Sequence, residues 1–94
     1  MTPDVKIGID RHLYIRHMTF RNAGDREPVH QHQFDHHTVL FKGRAQFLIK
    51  GHVLEKVAPE VVFIEANTDH EIVALEDDTQ CACVHVIANL RRNA

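Results

Sequence analysis

The stretch Gly24-Asp25-Arg26-Glu27-Pro28-Val29-His30-Gln31-His32-Gln33-Phe34-Asp35-His36-His37-Thr38-Val39-Leu40-Phe41-Lys42-Gly43 holds the densest chemistry of the chain. Four histidines, His30, His32, His36 and His37, fall within eight residues. His30 and His32 are two apart, so an extended strand projects both from one face. Imidazole is the commonest metal-binding side chain, and two on one face make half of a coordination shell. Pro28 holds the chain extended just before the pair.

Outward from this stretch the pattern is that of short strands. Val5–Ile9 is a candidate leading strand, able to pair within the chain or with a neighbouring subunit, and Leu13–Phe20 is a strand without helical period. Asn22-Ala23-Gly24-Asp25 is a turn cluster. Thr38–Phe41 and Ala45–Ile49 are apolar-rich strands separated by Lys42-Gly43-Arg44, where Gly43 suits the positive φ of a tight turn. Lys50-Gly51 reads as a two-residue hairpin loop leading into His52–Val57. Val61–Ile64 is four apolar residues in a row, which predicts burial on both faces. A turn at Ala66-Asn67-Thr68-Asp69 precedes a strand His70–Leu75. Glu76-Asp77-Asp78 turns into Cys81–Ala88, expected to be buried on both sides apart from His85. Leu90–Ala94 is a polar tail. No long helix, repeat or linker is visible, so the chain reads as an all-β sandwich or barrel.

With 94 residues, 44% hydrophobic and 26% charged, the chain has room for one small globular domain. Its formal net charge is −2 with scattered basic residues, which offers no electrostatic footprint for nucleic acid or an anionic membrane. No apolar run reaches transmembrane length, and the N-terminus lacks the apolar core of a secretory signal. Cys81 and Cys83 occupy alternate strand positions, too far apart for an unstrained mutual disulfide. Without a disulfide framework the expected setting is a reducing cytoplasm.

The spacing Gly24, five residues, His30-x-His32, three residues, His36, six residues, Gly43 resembles the first motif of the cupin superfamily, which usually carries Glu where this chain has His36. Pro59–Ala74 is similar to the second motif. There the family's Pro-x-Gly-x-x-His is replaced by Glu65-Ala66-Asn67-Thr68-Asp69-His70, which keeps the histidine and a turn-forming Asn. Pro59 stands for the motif's leading Gly and Ala74 for its trailing Asn. Phe34-Asp35-His36, Ala74-Leu75-Glu76-Asp77-Asp78 and Cys83-x-His85 also resemble small single-domain cupins of phages and prophages. The resemblance implies a double-stranded β-helix (jelly-roll) barrel. It would be one domain over residues 1–94, with an N-terminal arm at 1–12, the barrel at 13–88 and a tail at 89–94.

The resemblance also implies one divalent transition metal, held by His30, His32, His36 and His70 at an open end of the barrel. The residues agree: His36 returns to the common face after a local bulge, and His70 opens a neighbouring strand. The competing reading is a polar cavity lined by metal-free histidines. Zinc, iron, nickel, copper and manganese all remain open. Four neutral imidazoles leave the ion its full charge, which favours anionic ligands or a metal-bound hydroxide. A filled tetrahedral shell would instead be less reactive.

His37 is an alternative to His36, although the spacing to Gly43 favours His36. Asp35 is expected to point to solvent and Glu71 to alternate away from the site. Cys81 and Cys83 are expected as buried small hydrophobes. His85 suits either the cavity or the core, and Tyr14 a packing role. His12, His17 and His52 read as surface or strand histidines. No inward Glu or Asp offers itself as a general base.

Two functions remain open. One is a metal-dependent enzyme of dioxygenase, isomerase or decarboxylase type acting on a small molecule. The other is a non-catalytic accessory cupin that holds a metal or small ligand. Apolar residues on both faces of Cys81–Ala88 and Val61–Ile64 exceed what one barrel interior needs, which predicts a homodimer.

Overall fold

Alternation of buried and exposed positions builds two sheets that close on each other's apolar faces. The computed structural model describes residues 1–87. The expected tail at 89–94, and Ala88 at the end of the expected barrel, lie outside the described residues. Nine strands are present: β1 (Asp4–Asp10), β2 (Leu13–Phe20), β3 (Arg26–His30), β4 (His36–Lys42), β5 (Arg44–Ile49), β6 (His52–Val57), β7 (Glu60–Ile64), β8 (His70–Ala74) and β9 (Thr79–Val86). The described residues contain no helix.

One sheet runs β1-β2-β9-β4-β7 and the other β3-β8-β5-β6, every pairing being antiparallel. From β2 onward the chain crosses between sheets at nearly every connection, the β5–β6 hairpin excepted. This is the double-stranded β-helix. The leading segment joins the barrel rather than standing apart, since β1 pairs with β2 from Asp4↔Thr19 to Asp10↔Leu13.

Between the sheets lies a core of Met18, Phe20, Leu40, Ile64 and Cys81 from one side and Ala45, Phe47, Ile72 and Ala74 from the other. Burying residues as large as Phe20 and Phe47 removes about 150–250 Å² of surface each, a leading contribution to holding the sheets together. Cys81 and Cys83 are free thiols in this interior, and burial pushes both well above the ordinary thiol range. They behave as small apolar residues, with Cys83 Sγ 3.4 Å from Thr38 Oγ1.

Of two expectations of double-sided burial, that for β7 does not hold and that for β9 holds over part of the strand. In β7, Val62 and Ile64 are buried while Val61 is 59% and Phe63 51% exposed. In β9, the consecutive residues Cys81, Ala82 and Cys83 are buried, so this stretch is covered on both faces, whereas Val86 is 58% exposed. β7 has one face on the core and one on the outside, as strands of antiparallel sheets commonly do. Gly43 has the positive φ expected of it. With φ at +86°, it carries the chain from β4 in one sheet to β5 in the other.

Candidate metal centre

Strand register brings the first two imidazoles together. His30 closes β3 and His70 opens β8, and the two are direct cross-strand partners. Their ring centres stand 4.2 Å apart. Each ring is held by a backbone carbonyl two residues earlier: His30 Nδ1–H donates to Pro28 O at 2.7 Å, and His70 Nδ1–H donates to Thr68 O at 2.8 Å. That tautomer leaves the Nε2 lone pair of each ring free, the arrangement in which histidine ligates metal.

His32 reaches the same point from a loop. The strand ends at His30, so the shared face expected of His30 and His32 is not a strand face. The 31–35 loop is tied down at three places. Gln31 Nε2 donates to Asp69 Oδ1 (2.7 Å), Asn67 N donates to His32 O (2.6 Å), and Ala66 N donates to Asp35 Oδ1 (2.8 Å). Asn67 adopts φ of +58°, the left-handed turn that its place in the sequence suggested. His32 thereby lies 4.7 Å from His30 and 5.3 Å from His70, ring centre to ring centre. His30, His32 and His70 each offer one nitrogen such that the three atoms lie within 4.8 Å of one another.

His36 stands one step back. It opens β4 in the opposite sheet, and its register partner Ile64 faces the core. No bulge returns it to the face of His30; the chain changes sheet instead. Its ring centre is 5.2 Å from His32 and 5.3 Å from His70, and it is outside the tight three-histidine group. His37 points away, packing on Phe63 at 5.1 Å.

Both ring nitrogens of His36, and Nε2 of His70, are buried with no hydrogen-bond partner among the described residues. Buried polar atoms left unpaired are costly, and a divalent ion is one way to satisfy several imidazole lone pairs at once. The donor set therefore fits a transition metal. Burial, reinforced by the neighbouring imidazoles, pushes His32 and His36 each down to about 4, and burial lowers His70 too. At neutral pH these rings are unprotonated and able to ligate.

Beside the cluster lies a cavity of about 410 Å³. One wall is an aromatic ladder in which Tyr14 packs on His85 at 4.8 Å, His85 stacks on Phe34 at 3.9 Å, and Phe34 stacks on His32 at 4.9 Å. Tyr14 thus lines the site as well as packing, and His85 faces the cavity. Burial lowers the His85 pKa. Asp35 has its side chain at the surface and serves as a loop anchor; Glu71 turns outward to Arg26 Nη1 at 2.7 Å.

One residue escaped the sequence reading. Glu27 is a buried, inward carboxylate, ion-paired with Arg16 across the two sheets. A register shift between Glu27 and His30 puts both residues on the inner face, although three positions apart on a regular strand they would oppose each other. Pro28, which disrupts a ladder, was the available signal.

The chain is similar in structure to KdgF from Halomonas sp., with a TM-score of 0.79 and 21% identity, over 90% of this chain and 78% of that one. An RmlC-like cupin with a double-stranded β-helix fold from Methanocaldococcus jannaschii gives a TM-score of 0.80 at 19% identity, over 99% and 87% of the two chains. An RmlC-like cupin from Desulfovibrio desulfuricans gives 0.76 at 22%, over 88% and 81%. No family sequence model matches the chain, and no curated protein matches it.

Proposed function

We propose that this chain, which has the cupin fold, holds one divalent transition metal on His30, His32 and His70, with His36 as the fourth ligand, and uses it to bind a small anionic molecule in the adjoining cavity. One observation carries the reading: two backbone carbonyls take the Nδ1–H of His30 and His70, and His30, His32 and His70 each offer a nitrogen within 4.8 Å of the others. All-imidazole ligation suits zinc, iron, nickel or copper, and manganese is a further candidate.

When bound, such an ion supplies Lewis acidity toward an oxygen of the ligand. The remaining work falls to side chains of the chain itself. Phe34, on its anchored loop, and Tyr14 wall the cavity and limit water. Glu27, an inward carboxylate, is ion-paired with Arg16 and is not among the residues lining the cavity. That favours binding without turnover, the accessory role, over a dioxygenase, isomerase or decarboxylase. The buried free thiols support a reducing, cytoplasmic setting.

Elemental analysis of the purified chain tests the reading. About one metal per chain is expected, falling at least tenfold in His70→Ala and by a smaller factor in His36→Ala. Full occupancy in His36→Ala removes that residue from the shell, and an unloaded wild-type chain that refuses added zinc and cobalt removes the site. A metal spectrum that shifts with small acids, without product formation, separates the accessory role from the enzyme.

A further inference from the structure

Arg16 lies in the middle of β2, opposite Cys83 of β9, and so on the inner face of its sheet. Its guanidinium is ion-paired with the buried Glu27 of the opposite sheet. The Nη1 atom makes that contact and also one to Met18 Sδ at 3.2 Å. Nε and Nη2 carry three further N–H donors of the planar fork that matches a carboxylate. Arg16 lines the 410 Å³ cavity together with His30, His32 and His36. A positioned arginine beside an imidazole cluster is a place for the anionic end of a ligand.

Charge balance points the same way. Arg16 is matched by Glu27, and none of the residues lining the cavity is an Asp or Glu. A divalent ion on neutral imidazoles thus leaves the cavity with excess positive charge, Glu27 offsetting only Arg16. Alongside the histidines, Phe34 stacks between His32 and His85, and it lines the cavity together with Tyr14 and Ile87. The volume lies in the range of ordinary small-molecule pockets.

We infer that the ligand is a 2-oxo or 2-hydroxy carboxylate with a short apolar or aromatic tail. Its carboxylate lies on Arg16, its second oxygen toward the histidine cluster and its tail along the aromatic wall. A simple carboxylate lacks the second oxygen that joins the two polar sites. This rests on the metal reading above. Arg16 is then a specificity-determining residue, and Glu27 positions it.

The test uses the full chain loaded with cobalt(II) and titrated with phenylglyoxylate and with its methyl ester, which keeps the ketone and the ring but loses the charge. Cobalt stoichiometry is measured first, then binding by calorimetry and cobalt absorption. Wild type is expected to bind the acid at least tenfold more tightly than the ester. Arg16→Gln should weaken the acid at least tenfold and change the ester by less than threefold. Because that substitution strands Glu27, Arg16→Gln/Glu27→Gln is run alongside it, with the same expectation. Equal affinity for acid and ester in the wild type, binding of neither, or an acid affinity kept in the double variant overturns the inference. Failure to take up cobalt sinks the metal reading itself, whereas full uptake without preference for the acid sinks only the assignment of Arg16.

Discussion

His32 and His36 set the acid limit of the folded chain. Each is pushed down to about 4 by burial and by the imidazoles around it, whereas in the unfolded chain each titrates near 6.5. Between these values the unfolded state binds protons that the folded state refuses. Stability is therefore unaffected above about pH 7 and is lost progressively as pH falls from 6.5 toward 4. Urea midpoints of the metal-free protein across that range should decline steadily, and His36→Asn should flatten the decline. A midpoint independent of pH in the wild type would contradict the assigned cause. Of the cluster, His30, His32 and His70 were legible from spacing and motif resemblance, because their places at strand ends and a turn are local features. Glu27 was not, since a register shift cannot be counted from a two-residue alternation.

Gly43 shows what a connection between sheets demands. Its φ of +86° lies in the region that favours glycine, and a Cβ there would run into Thr79 Oγ1 and come within 3.0 Å of Thr79 Cα. Thr79 cannot yield easily, being fully buried with its one hydroxyl hydrogen shared between Glu76 O (2.9 Å) and Arg44 O (3.2 Å). Gly43→Ala combines backbone strain with overpacking and should cost roughly 2–4 kcal/mol in urea unfolding. A loss below about 1 kcal/mol would mean that the crossing relaxes freely. Strand positions were legible from β-branched and aromatic runs and from turn residues. Which strands share a sheet was not. Gly43 and Gly51 both read as turn glycines, yet Gly51 closes a hairpin within one sheet and Gly43 joins two. The difference lies in what packs beside them.

The outer face of the five-stranded sheet is apolar across four strands. Register aligns Phe63, His37, Val84 and Ile15 in one row and Val61, Val39, Ala82 and His17 in the next, with Phe41 stacked on His17 at 5.7 Å. These two rows carry no Asp, Glu, Lys or Arg, so a second copy of the chain meets no like charge there. The expected occupant is that second copy. Sedimentation equilibrium at micromolar concentration should give twice the chain mass of 10.8 kDa. Phe63→Glu should return it to one chain mass without altering metal uptake, and a monomeric wild type would leave the face unexplained. The sequence by itself determined the all-β class, the order of the strands and which histidines were candidates, because alternation, turn chemistry and motif spacing are written within a few residues. Only the tertiary structure decided that His36 stands back from the other three, that Glu27 turns inward to Arg16, and that β7 keeps one face outside. Those facts depend on inter-strand register and on which sheet covers which, relations between residues far apart in the chain.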